Sequence, residues 1–344
     1  MSFLATYIHH LDPVMVELPF SIGDFQPAIR WYGFAYIMGF LCGYLVLLWL
    51  SKRKLYSVPS EKLGDFISLI AICGVLLGGR LGETIFYWLP RVGWEGLCAD
   101  PFWFIRVWEG GMASHGGIIA VALTAFIYAR RSKLPALDVM DGLAIVATLG
   151  IAFGRIANFI NGELYGRVCE TGSWVAMKFP LELNEFLYND PNRWIAMSAK
   201  VYPLLPPSPD WIKHSGHYTQ WLVELCRDNE AVRTTIGEFL TPRYPSQLFE
   251  AAAEGGIIFI ILITVRLLWK NAPHGLFCML FCFMYTIGRF STEYFREPAE
   301  DLWLGFTRGQ YLSFGIAFLG LVFAIPVIKE LLRRKNKKSE EKAK

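Results

Sequence analysis

Apolar stretches of bilayer-crossing length recur along the chain, near residues 28–50, 64–89, 113–129, 138–158, 248–268, 274–290 and 309–328. A hydrocarbon core of about 30 Å takes about 20 residues of helix, so the pattern predicts seven transmembrane helices and an all-α integral membrane protein. Polar residues intrude at the ends of the fourth and sixth stretches. Between the fourth and fifth, residues 159–247 break the pattern with Pro-, Trp- and Tyr-rich sequence such as "VYPLLPPSPDWIKHSGHYTQWL". A loop beyond about 15 residues is usually functional or disordered, and this aromatic content predicts a small folded head. The expected order is a segment 1–27, helices 1–4 within 28–168, the head 169–243, helices 5–7 within 244–329, and a basic tail 330–344. The start "MSFLATYIHHLDPVMVELPF" lacks the basic, apolar and small-residue regions of a cleavable signal.

Charge orients this arrangement. Only 18% of residues are charged and 54% are hydrophobic, against about a quarter charged in soluble domains. The clusters "SKRK" (51–54), "RRSK" (130–133), "VRLLWK" (265–270) and "KELLRRKNKK" (329–338) fall on one side of seven spans. Basic loops favour the cytoplasm, which puts the N-terminus and the head outside and the C-terminus inside. The tail reads as a solvated, disordered end near anionic lipid. Glycines four apart (Gly39/Gly43, Gly74/Gly78/Gly82, Gly150/Gly154) predict close helix packing. Of seven cysteines, Cys42, Cys73, Cys278 and Cys282 fall in spans as small apolar residues. Cys98, Cys169 and Cys226 fall outside, where one disulfide is conceivable and the sequence does not choose it. Cys278 and Cys282 have no histidine or carboxylate company in sequence, and no HExxH-like spacing occurs. Neither a metal, a cofactor nor a nucleic-acid partner is expected.

Ionisable groups inside spans are costly and point to function. Arg80 and Glu83, His115, Arg155 and Asn158, Glu250 and Glu254, and Arg289 and Glu293 all fall in the outer halves of five predicted helices. That common depth predicts one polar cavity opening outward. In "GRIANFINGELYG" (154–166), Arg155, Asn158 and Phe159 share a helix face. Gly162 and Gly166 then break the helix and let backbone amides approach a ligand. In "GRFSTEYFREP" (288–298), Arg289 and Glu293 are spaced to pair, and Arg296 lies three residues beyond. Either these charges pin a helix end, or the arginines bind phosphate in planar, bidentate fashion. His115, in "SHGG" (114–117), is either an interfacial histidine satisfied by a neighbouring helix or a proton-moving group. The two glycines after it favour the second by freeing space around the ring.

These residues carry a resemblance. "RWYG" (30–33), "GGRLGE" (78–83), "SHGG", "GRIANFINGELYG", "YPSQLFE" (244–250), "GRFSTEYFRE" (288–297) and "GQYLS" (309–313) resemble, in order, the motifs of the prolipoprotein diacylglyceryl transferases of the bacterial inner membrane. The resemblance implies transfer of a diacylglyceryl group from phosphatidylglycerol to the lipobox cysteine of a preprolipoprotein signal peptide, by an enzyme expected to be monomeric. It implies that Arg155 and Arg289 bind the headgroup phosphate, and that Asn158, Asn161, Glu163, Gly166, Glu293 and Arg80 help hold the lipid. Tyr32 would face the cavity. His115 would assist thiol deprotonation or orient another group. Residues 170–243 carry no readable motif and serve to guide peptide, as a lid or as an interaction surface. The alternative is an outward-facing phospholipid transporter or flippase. Against it, the charges lie high in the membrane and no internal repeat is visible.

Overall fold

The computed structural model describes residues 6–20, 27–100, 102–106, 111–170, 172–208, 217–297 and 305–343. Its long helices are α1 (Trp31–Lys52), α2 (Ser60–Gly96), α3 (Ser114–Arg131) and α4 (Ala136–Asn161). Four short helices follow: α5 (Leu183–Asn189), α6 (Pro191–Val201), α7 (Tyr218–Asp228) and α8 (Glu230–Phe239). The chain ends on α9 (Ser246–Leu268), α10 (Leu276–Thr292) and α11 (Arg308–Ala343). Among the described residues, α1, α2, α4, α9 and α11 are long and apolar enough to cross a bilayer. Helix α10 is apolar but has 17 residues, and α3 is diluted by His115 at one end and Arg130 and Arg131 at the other. Large apolar side chains lie exposed on α2 (Ile72, Leu81, Ile85), α3 (Ile118, Ile119, Leu123) and α11 (Phe318, Leu321, Ile325). Buried charge with exposed aliphatic surface is the inverse of a soluble domain and marks a multi-pass membrane protein.

Residues 6–37, 151–257 and 285–315 form one compact unit, and residues 38–150, 258–284 and 316–343 a second. The first contains the head. Its core is built from Leu183, Phe186, Met197, Val201, Trp221, Leu222, Cys226, Val232, Ile236 and Leu240. Asp190 and Asn229 cap α6 and α8 with side-chain oxygens. Two small sheets qualify the all-α expectation. Strand β1 (Tyr7–Ile8) pairs in parallel with β4 (Met177–Lys178), and β2 (Val14–Glu17) pairs antiparallel with β3 (Ala28–Arg30). These strands are too short to show a two-residue period. The β1–β4 pair ties the N-terminal segment to the head, where His9 stacks on Phe179 at 5.5 Å. Burial pushes the His9 imidazole down to about 4.

In the second unit the glycine spacing does what it predicts. A Cβ on Gly74 would meet Val121 at 2.7 Å, on Gly78 Ala120 at 2.2 Å, and on Gly82 the Cα of Gly116 at 2.6 Å. Helices α2 and α3 therefore touch backbone to backbone. A Cβ on Gly39 would lie 3.4 Å from the Gly150 Cα, whereas one on Gly154 would meet nothing within 4 Å. Three expectations change. Helix α2 runs past Pro90, which follows the wider π turn at Thr84–Trp88, and is kinked at Gly93, whose φ is +68°. The tail expected to be disordered is helical to Ala343; its Leu, Lys, Arg and Glu are strong helix formers, and Arg334 bonds Glu330 one turn away at 2.9 Å. Cys278 does have carboxylate company, since its amide donates to Asp141 at 2.8 Å. No disulfide occurs: every cysteine is free, with Cys169 and Cys226 buried and Cys98 exposed.

Candidate active site

Small residues bring α4, α9 and α10 together in the first unit. A Cβ on Gly255 would lie 2.6 Å from that of Ala152, and one on Gly288 would lie 3.1 Å from the Ala253 carbonyl. The charged residues beside these contacts then meet. Arg155, one turn beyond Ala152, reaches Glu250 at 2.8 Å and Glu254 at 3.5 Å. Arg289, next to Gly288, reaches Glu250 and Glu254 at 3.3 Å each and Glu293 at 2.8 Å. Arg296 reaches Glu250 at 3.3 Å. A π turn at Ala251–Gly256 starts directly after Glu250 and includes Glu254. Gly309 opens α11 against this group: a Cβ there would lie 2.8 Å from Glu293 and 2.9 Å from Arg289.

The group is buried. Glu254, Glu250, Glu293 and Arg289 are 0%, 1%, 5% and 9% exposed. Ions so far from water need partners, and here they have one another. The Thr292 hydroxyl donates to Glu254 at 2.9 Å, and the Thr307 hydroxyl to Glu293 at 2.7 Å. The expected pairing of Arg289 with Glu293 is present. Glu250 and Glu254 form the other side of the cluster, a role that their sequence position alone did not announce.

Beyond α4 the chain turns through Gly162 at φ +70°, a left-handed conformation that favours glycine. This turn brings Glu163 back to its helix. Asn158 donates to the Glu163 carboxylate at 2.8 Å and Asn161 at 3.3 Å. Gln247 fixes the same residue by donating to its carbonyl at 2.6 Å. Gly166 differs from expectation: its amide donates to the Tyr244 carbonyl at 2.9 Å and is not offered to a ligand. A Cβ at Gly166 would lie 2.2 Å from the Phe295 carbonyl, so the position needs glycine for strand-like backbone packing. Arg243, which the sequence did not single out, braces this region. It reaches Glu182 at 3.1 Å, Glu297 at 2.9 Å and the Gly166 carbonyl at 3.3 Å. Burial opposes its charge, but Glu182, Tyr165 and Glu297 together outweigh that and raise the guanidinium pKa. Tyr32 lies in the first turn of α1, 38% exposed, with its ring 5.5 Å from that of Tyr36.

Arg80 and His115 belong to the second unit. Arg80 is 1% exposed and donates to the carbonyls of Gly111 at 2.9 Å, Trp103 at 3.1 Å and Arg106 at 2.7 Å. Its guanidinium lies over the Trp103 ring at 4.0 Å. These contacts fasten Trp103, Arg106 and Gly111 to α2. His115 is half-buried in the first turn of α3, and among the described residues no group bonds its ring. Gly116 does not clear space for that ring: a Cβ there would strike the Gly78 carbonyl at 2.4 Å, so the residue serves helix contact. Gly117 is nearly open, with Gly79 at 4.0 Å. Among the described residues no group of His, Cys, Asp and Glu side chains has the geometry of a metal site.

A family model described as "Prolipoprotein diacylglyceryl transferase" matches residues 18–326. The chain is 36% identical to the "Phosphatidylglycerol--prolipoprotein diacylglyceryl transferase" of Bdellovibrio bacteriovorus, over 92% of this chain and 93% of that one. It is 34% identical to proteins of the same name from Neisseria gonorrhoeae, over 92% and 95%, and from Proteus mirabilis, over 92% and 91%. Matches of this identity and extent carry the whole membrane part as well as the head, and the chain belongs to the prolipoprotein diacylglyceryl transferase family.

Proposed function

We propose that this transferase moves the diacylglyceryl group of phosphatidylglycerol to the lipobox cysteine thiol of a preprolipoprotein, in the bacterial inner membrane. The bond between the diacylglyceryl carbon and its phosphate oxygen breaks, and a thioether bond forms. Glycerol phosphate leaves with the electron pair, and the thiol gives up its proton. The observation that carries this reading is the meeting of Arg155, Arg289 and Arg296 on the buried carboxylate of Glu250. Guanidinium forks suit phosphate oxygens, and in a site shielded from water they stabilise charge developing on the leaving group. Glu163, held by Asn158 and Asn161, positions the lipid, and Glu293 orients Arg289. Tyr32 lines the lipid path. Gly166 shapes the loop that follows α4, and Arg80 holds the loop preceding α3. His115, whose ring is unbonded, takes the thiol proton; the thiolate is the nucleophile. Seven helices cross the membrane, with α3 and α10 as the two marginal spans, and the N-terminus and head are periplasmic.

The test is mass spectrometry of a lipobox peptide incubated with purified protein in phosphatidylglycerol vesicles. A gain of one diacylglyceryl unit is expected, and its loss in His115→Ala. Movement of labelled lipid with no thioether product would replace this reading with a transporter.

A further inference from the structure

One carboxylate is shared by all three arginines. Glu250 Oε2 lies 2.8 Å from Arg155, Oε1 lies 3.3 Å from Arg289, and Arg296 spans both oxygens at 3.3 and 3.5 Å. The other two acids have further anchors in the hydroxyls of Thr292 and Thr307. Glu250 has none: among the described residues its side chain is bonded by guanidinium groups alone. Three guanidiniums thus face three carboxylates, and the group is balanced before any lipid arrives. A phosphodiester brings a fourth negative charge to donors already engaged. In a poorly solvated site it must displace an acid, because an excess buried charge is costly. The acid that can leave without stranding a buried hydroxyl is Glu250.

We propose that Glu250 is an internal stand-in for the phosphate. It is a positioning residue that gathers Arg155, Arg289 and Arg296 in the empty site and cedes them to the headgroup. It then returns to displace glycerol phosphate after transfer. Arg296 is accordingly a third phosphate-binding arginine. This rests on the transfer reaction proposed above and adds the device that resets its site.

Glu250→Gln keeps the shape and one acceptor oxygen and removes the competing charge. The monoester product carries more negative charge than the diester substrate, so it gains most. Expected are a KM for phosphatidylglycerol about threefold lower, a kcat about tenfold lower through slow product release, and about tenfold stronger inhibition by added glycerol 1-phosphate. A purely structural role would lower kcat and leave the inhibition constant unmoved. Unchanged or weaker product inhibition, in a variant with the wild-type thermal midpoint in detergent, overturns the proposal. If Glu250→Gln is not recovered folded, Glu250→Asp, which draws the charge back by one methylene, should shift the same constants in the same direction by less. Unmoved constants there also overturn it. Wild-type protein that forms no thioether refutes the underlying reaction; active wild type with unmoved variant constants refutes the stand-in alone.

Discussion

Arg266 and Arg289 are both buried arginines on apolar helices, 7% and 9% exposed, yet their partners differ in kind. Arg266 donates to the Leu55 carbonyl at 2.7 Å and meets Asp138 at 3.3 Å. Asp138 also accepts from the Ser57 amide at 2.8 Å, from the Ser57 hydroxyl, and faces His274 at 3.4 Å. Three residues along, Asp141 accepts the amides of Gly275 and Cys278 at 2.7 and 2.8 Å. These charges are bound to backbone, and what they achieve is to fasten two loops to the start of α4. Arg289 instead meets three carboxylates and, among the described residues, no carbonyl. A charge bonded to backbone cannot change partners without undoing a loop. One bonded to other side-chain charges can exchange them for a ligand. Arg80, held by three carbonyls, falls with Arg266.

The comparison makes opposite demands on stability and activity. Arg289→Ala should lower kcat/KM for peptide modification by about 10²–10³-fold, the loss expected when a donor to a developing oxyanion is removed. Arg289→Lys should recover little of it, since a point charge cannot replace the fork. Activity within a few-fold of wild type would place Arg289 in the fastening class. Arg266→Ala should cost about 3 kcal/mol in a denaturant titration in mild detergent, the scale of a broken buried pair, while each folded molecule keeps near-normal kcat and KM. Lost activity without lost stability would erase the distinction.

The sequence made one half of this contrast readable. Arg289 and Glu293 lie one turn apart on a helix, so their pairing needs no tertiary information. The helices followed from apolar length, and the close approach at Gly74, Gly78 and Gly82 from small-residue spacing. What was hidden depends on contacts distant in sequence. Glu250 meets Arg155 across 95 positions, while Arg266 meets Asp138 across 128. The Gly166 amide looked available because its acceptor, the Tyr244 carbonyl, lies in another motif. Arg80 looked like a lipid ligand because carbonyl partners in an irregular loop leave no side-chain signature. Gly116 looked like room for His115 because spacing gives the face of a helix and not the neighbour against it.

His274 offers the finest test, at the exposed margin of the fastening network. Its hydrogen bond to Asp138 raises the imidazole above its ordinary 6.5, against the opposing effect of burial. Asp141 adds to the increase and Arg266 subtracts from it. A base with a raised folded-state pKa contributes stability that is complete below the unfolded value, about 6.5, and fades as pH rises through the folded value. The ring is half exposed, so solvent screens the pair and the effect is small. His274→Gln should therefore unfold slightly earlier than wild type at about pH 6 and together with it at about pH 9. Transfer activity should follow the same pH profile in both proteins. A profile altered by His274→Gln would mean that this network communicates with catalysis, and that bonding to backbone does not by itself confine a buried charge to fastening.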